Sequence, residues 1–484
     1  MAHVQTQRFQ ERSRQALQDQ RLQRSLSSVV GRFHQWRSAA VQEFGPAQWE
    51  ELRTRAREIK RHTLDNLDYY LELLSQRIAQ AGGHVLFAAD AQEAAGMVVE
   101  LARSHGVKLA VKSKSMVSEE MDLNRLLAQA GVEAVETDLG EFIVQLAGES
   151  PFHIIAPAMH KSREEVAELF HRKLGAPRLD DIPALAAVAR HALRDKFMRA
   201  DMGITGANFL IAETGTLVLV TNEGNGRFCT STPRIHVAIA GMEKLLPSME
   251  DLGVFLRLLP RSATGQRMSS YMTFVTGPRR QDDEDGPEEF YVILVDNGRM
   301  GLLHDPEMRE ALYCIRCGAC LNICPIYRKV GGHAYGHVYP GPIGSVVTPA
   351  LVGVAKAKDL PSASTLCGAC REVCPIKIDI PHMLLNLRHR AAEGPPNERK
   401  RSRMERIAIL LFCLLMTRPR LLGAARTAGR WLMLPLARNG RVGKLPLPIL
   451  SRWTRRRDLP VPAPKTFHQM WKERLSHEVS SDGQ

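Results

Sequence analysis

The chain has 484 residues, 44% hydrophobic and 24% charged, which excludes a disordered polymer and allows about three domains with buried cores. Its formal charge of +13 comes entirely from residues 397–484, where 19 Lys and Arg face 6 Asp and Glu. The other 396 residues hold 46 of each sign, so any electrostatic partner belongs to the tail, where nucleic acid is not expected because the arginines are not interleaved with stacking aromatics and no binding module is apparent.

The N-terminal stretch lacks an apolar segment, so no secretory signal is read there, and the cysteines are read as reduced, pointing to the cytoplasm. Residues 1–80 read as helices, with few glycines and apolar side chains three to four apart over 66–74. A packed helical collar is the plainer expectation, an oligomerisation arm the other. Over 81–300 short apolar runs alternate with helical patterns. Strands are predicted at 84–88, 108–111, 132–136, 152–156, 208–212, 216–221, 235–240 and 291–295, and helices at 91–105 and 118–130. This alternation predicts an α/β layer with a largely parallel sheet, whose ligands would gather in loops at the strand C-termini.

Three loops qualify. Residues 112–116 carry Lys112 and Lys114 where a strand gives way to a helix, a setting that suits an anion. Glu213 lies in the tight turn 212–216, and Glu223 in the glycine-rich loop 221–227. Each loop alone reads as a turn. As three loops of one sheet they would line a cleft in which the lysines pair with a carboxylate and the glutamates handle protons. The acidic run 281–289 reads as a solvated loop, and no G-x-G-x-x-G fingerprint follows a strand.

Residues 301–395 contain seven of the nine cysteines. Cys314, Cys317, Cys320 and Cys324, followed by Pro325, have the ferredoxin spacing C-x2-C-x2-C-x3-C-P, in which the fourth cysteine serves the other cluster. Cys367, Cys370 and Cys374, followed by Pro375, repeat it with Ser364 in the first position. That register assigns Cys314, Cys317, Cys320 and Cys374 to one iron–sulfur cluster, and Cys324, Cys367 and Cys370 to a second. A serine oxygen binds iron less well than a thiolate, so the second site is expected to hold a cubane with one labile corner or a three-iron cluster. Zinc knuckles and disulfides fit this spacing badly. His333 and His337, in the Gly/Pro-rich loop between the motifs, are alternative ligands or simply packing groups. Cys229 and Cys413 are expected to be buried apolar residues.

The tail, 396–484, has a ten-residue apolar run at 407–416, too short to span a bilayer, which needs about 20 residues. Arginines follow it, including Arg455 and Arg456, so the tail is expected to dock an acidic partner or to lie on an anionic membrane. The proline-rich 459–464 reads as an extended linker.

The 112–116 loop, the stretch 204–216, the loop 222–225 and both cysteine motifs together resemble the lactate-utilisation protein B family over essentially the full length. The resemblance implies an α/β LUD domain similar to isomerase and CoA-transferase domains, then a helical ferredoxin module and a basic tail. It implies that the seven cysteines hold two clusters, 4Fe–4S at the first site and 4Fe–4S or 3Fe–4S at the second. The implied role is the iron–sulfur electron-transfer subunit of a system oxidising L-lactate to pyruvate. Its implied partners are a cysteine-rich redox subunit and a second LUD-domain protein. A regulatory iron–sulfur sensor and a cluster-dependent hydro-lyase are the alternatives.

Overall fold

A computed structural model describes residues 5–395, 398, 403–443, 454 and 457–481. Apolar spacing of three to four folds the N-terminal stretch into four helices, α1 (Phe9–Gln18), α2 (Gln20–Phe44), α3 (Pro46–Asp65) and α4 (Leu67–Gln80). Asp19 caps α2 by accepting from the Arg21 and Leu22 amides, and a proline opens α3 where no amide donor is needed.

Ten strands follow: β1 (His84–Ala88), β2 (Leu109–Lys112), β3 (Glu133–Glu136), β4 (Met202–Thr205), β5 (Phe209–Ile211), β6 (Thr216–Thr221), β7 (Ile235–Gly241), β8 (Leu245–Leu246), β9 (Tyr271–Val275) and β10 (Glu289–Val295). Six build a wholly parallel sheet in the order β1-β10-β7-β4-β2-β3. Its centre is covered on both sides, which is why β7 is buried at every position and reads as an unbroken apolar run. Helices Ala91–Ser104, Met116–Glu120 and Leu123–Gln129 pack one apolar cluster against this sheet. A second cluster joins Leu139–Ala147, Arg163–Leu174 and Ile182–Arg199 to the β2 and β3 end.

The single-sheet expectation is corrected here. β5 and β6 belong to a separate four-stranded sheet, β8-β5-β6-β9, in which β6 runs antiparallel to both neighbours. The predicted strand 152–156 is a loop, because the Phe152 amide bonds the Pro157 carbonyl and the Ile155 and Ala156 amides bond the His153 ring. Its apolar side chains are buried in tertiary contacts instead of a ladder. The predicted helix 118–130 is two helices, broken at Asp122 with a left-handed φ of 55°. β4, β8 and β9 were not predicted. β4 is interrupted in pattern by Gly203, required because a Cβ there would stand 1.8 Å from the Cys229 carbonyl oxygen.

From 299 to 393 the elements are short helices and turns, among them Ala319–Ile323, Tyr327–Val330, Gly341–Val352, Ala369–Glu372 and Ile380–Glu393. One continuous core joins α2 to α4, the second sheet and this module, running from Leu26 and Trp49 through Leu217 and Phe255 to Tyr313, Cys320 and Leu384.

Chain contacts divide the molecule into residues 1–400 and 401–484. In the second unit, helices Arg403–Met416 and Pro419–Met433 expose Ile407, Leu410, Leu411, Phe412, Trp431 and Leu432. Among the described residues no single helix is long and apolar enough to cross a membrane, although Met404–Met416 and Pro419–Leu436, bent by 108°, pass that test as a pair. Cys229 is buried as expected, but Cys413 is exposed on this apolar helix. The proline-rich stretch is not wholly a linker, since Leu459–Pro460 pairs antiparallel with Arg441–Val442. Arg455 and Arg456 lie outside the described residues.

Candidate functional site

Folding brings the cysteines into two groups. Cys314, Cys317, Cys320 and Cys374 line one small cavity with Ile315, Ile343, Ile376, Ile378 and Ile380. Burial raises the Cys317 thiol, and so do the neighbouring Cys374 and Cys314. Burial followed by the field of Cys324 and Cys367 raises Cys370 to about 12. Cys320 feels Cys370 as well as Cys314 and Cys317, so the two groups adjoin. Unscreened buried thiols of this kind resist ionisation unless a cation sits among them.

Amide groups aim at the sulfurs. The Arg316 amide reaches Cys314 Sγ and the Ile378 amide Cys374 Sγ, each at 3.4 Å. Sulfur-only donors, an isoleucine cage and amide donors suit iron–sulfur clusters, whose properties follow from hydrogen bonds to sulfur and from solvent exposure. Cys367 is exposed, unlike Cys324 and Cys370. Ser364 Oγ accepts from the Leu366 amide at 3.1 Å. His333 Nε2 donates to the Ser150 carbonyl (2.8 Å), and His337 Nδ1 meets Thr348 Oγ1 (3.1 Å).

The helical collar holds the second motif by its carbonyls. Arg37 donates to Val373 O (2.9 Å), Arg53 to Cys374 O (2.9 Å) and Arg57 to Lys377 O (2.5 Å). The first motif is held from the α/β side by His153. Its Nδ1 accepts from the Ile155 and Ala156 amides at 3.0 and 3.2 Å, so the proton rides on Nε2, which donates to Asn322 Oδ1 at 3.1 Å. Burial, then the Lys114 charge, hold this imidazole neutral by lowering its pKa to about 3, against the Asn322 bond. The neighbouring Phe152 presses on Gly332, where a Cβ would stand 1.6 Å from the Phe152 carbonyl oxygen. Sequence reasoning missed His153 because it stood in a presumed strand; its only signal was a histidine among apolar residues, which core packing also explains.

A buried ion network closes the same junction. Arg299 donates to Glu120 and to Glu243, both at 2.7 Å, and the Tyr339 hydroxyl also bonds Glu120. Arg316 of the first motif stacks over Tyr339, 4.4 Å from its centroid. Burial would raise Glu243, but Arg299, Arg316 and Lys244 bring it down to about 2.

The expected cleft differs from the reading of the sequence. Lys112 is fully buried and already paired with Glu119 (2.9 Å) and its cross-strand neighbour Glu136 (2.7 Å), so its charge is not free for a ligand. Lys114 donates to the Ile155 carbonyl at 2.8 Å. Glu213 sits on the second sheet and accepts from the Met249 amide (3.1 Å), capping a helix away from the lysines. Glu223 does reach the strand ends, accepting from the Leu139 amide (3.1 Å). Partial burial, then Asp138, raise its pKa; much of the side chain meets water, which softens the shift but leaves its direction. The structure thus brings Lys112, Lys114 and Glu223 to one sheet edge and separates Glu213 from them.

A parallel α/β domain joined to a paired-cysteine module defines a protein of the iron–sulfur class. The LUD domain family matches residues 71–295, the 4Fe-4S dicluster domain residues 310–378, and the family described as lactate utilisation protein B, C-terminal, residues 386–476. Lactate utilization protein B of Shouchella clausii (strain KSM-K16) is 44% identical over 467 residues, 96% of this chain and 97% of its own. That of Bacillus licheniformis is 44% identical over 470 residues, 97% of each chain. The chain belongs to the lactate utilization protein B family. A crystal structure of a DUF162 family protein from Deinococcus radiodurans covers 47% of this chain and 98% of its own at 15% identity and a TM-score of 0.28, too slight a likeness to inform the fold.

Proposed function

We propose that the chain is the iron–sulfur electron-transfer subunit of a multi-subunit system that oxidises L-lactate to pyruvate. The observation that carries this reading is the folding of seven cysteines into adjoining sets of four and three. Cys314, Cys317, Cys320 and Cys374 would hold a 4Fe–4S cluster, and Cys324, Cys367 and Cys370 a 4Fe–4S or 3Fe–4S cluster. Each bound cluster supplies a one-electron site, so an adjoining pair suits a two-electron oxidation. The relatives' names direct the reading to lactate.

The chain's own residues do the rest. Amides at Cys314 and Cys374 favour the thiolate form, Arg37 and Arg53 fix the second motif, and His153 ties the first to the α/β edge. The exposed Cys367 places one edge of the second set toward solvent, where a partner docks. The partners are a cysteine-rich redox subunit and a second LUD-domain protein, and the arginine-rich tail docks an acidic face of one of them through its exposed apolar helices. At the sheet edge, Glu223 is the group suited to holding a proton.

The test is anaerobic absorbance of the loaded protein with its partner subunits after addition of L-lactate. Bleaching with pyruvate formation supports the reading; clusters that bleach with dithionite but never with lactate overturn it.

A further inference from the structure

Apart from the cysteine sets lies a cavity of about 1060 Å³, bounded by α1, by the β3 side of the sheet edge and by the loop between the two motifs. Seven carboxylates and three fixed cations line it, so its wall favours a cation over an anion. Glu149, His160 and His333 meet on this wall from distant parts of the chain, and one ligating atom of each lies within 4.8 Å of the other two.

The hydrogen bond of His333 leaves a lone pair for a metal, and Glu149 and His160 face one another across a proton that a metal would displace. His333 Nε2 faces the Ser150 carbonyl at 2.8 Å, an oxygen that accepts only from a protonated nitrogen, so the Nδ1 lone pair of the neutral ring is free. His160 Nε2 lies 2.6 Å from Glu149 Oε2, and its Nδ1 is buried with no hydrogen-bond partner among the described residues. A buried nitrogen without a partner is costly, which marks this ring as under-satisfied in the metal-free protein. The rings are also held in place. Phe152 stacks on His160 with centroids 4.7 Å apart and meets His333 edge-on at 4.9 Å.

We propose that Glu149, His160 and His333 bind one divalent cation of the borderline class, zinc or ferrous iron, at a site separate from the cysteine sets and with open coordination positions facing the cavity. Two imidazoles and a carboxylate are the donors such ions take when a position is kept for another ligand. The Ser150 carbonyl then serves as the outer partner that orients a ligating imidazole. Lys161 bonds the other Glu149 oxygen and supplies, in the metal-free protein, the positive charge that the ion would bring.

Zinc ion alone is the probe. Full-length protein with both cysteine sites loaded is dialysed anaerobically against low-micromolar zinc, and zinc and iron are counted by mass spectrometry, with titration calorimetry for affinity. One zinc per chain is expected beyond the full iron complement. H160A combined with H333A should remove it, or weaken it about tenfold or more, with iron and cluster absorbance unchanged. If that pair loses iron through misfolding, E149Q, which keeps the shape and removes the charge, supplies the same comparison. K161M should tighten binding several-fold, an effect that a merely structural ion pair would not give. No stoichiometric zinc in the wild type, or zinc that survives these replacements while iron stays full, overturns the proposal.

Discussion

The two cysteine motifs share a spacing, but the two sets they build differ in setting. The first set is lined by isoleucines, joined to a buried ion network and clamped by His153, whereas the second has three sulfurs, an exposed Cys367 and a serine whose oxygen accepts from the Leu366 amide. Motifs alike in all but one ligand thus give unequal sites, because what packs over a motif comes from elsewhere in the chain.

Four changes would break or sharpen that contrast. Cys374→Ser should act most strongly, removing the first cluster and about half of the iron while leaving the signal of the second. Loss of the second signal instead, by electron paramagnetic resonance, would mean that the cysteines pair differently. Arg299→Met strands Glu120 and Glu243 in the interior and should cost about 3–5 kcal/mol in anaerobic denaturant unfolding, because a buried charge without its partner is expensive. The first cluster should be lost before the second in that variant; equal loss would mean that the network braces both.

His153→Ala leaves the Asn322 oxygen and two amides unbonded and should cost about 1–3 kcal/mol. Its pH signature has a definite sign. The folded imidazole titrates near 3 and the unfolded one near 6.5, so acid favours the unfolded chain. The stabilisation is full above about 6.5 and is lost as pH falls toward 3. In the alanine variant stability should fall less over that range, and an unchanged slope would remove His153 from the account. The smallest effect on stability belongs to Ser364→Cys, which should abolish any three-iron signal of the oxidised second site and leave the first unaltered. No spectral change would mean that position 364 does not face that cluster.

The cysteine register was legible because its chemistry is local: four sulfurs fixed by gaps of two and three residues need little tertiary help to be recognised. The central strands were legible because burial on both faces makes their apolar runs continuous. The loop at 152–156 was not, since strand-like composition there serves contact with the cysteine module rather than a ladder. The role of Lys112 was not legible either. A lysine after a strand looks like an anion site until Glu119 and Glu136 are placed against it.

By itself, then, the sequence determined the kind of metal chemistry, the parallel α/β layer and the separation of a basic tail, all of which depend on periodicity, spacing or composition. The tertiary structure alone decided that β5 and β6 leave the parallel sheet, that His153 spans the junction, and that Glu149, His160 and His333 meet across 184 residues of chain. Such meetings depend on the folded path of the backbone, which brings together side chains that no local pattern relates.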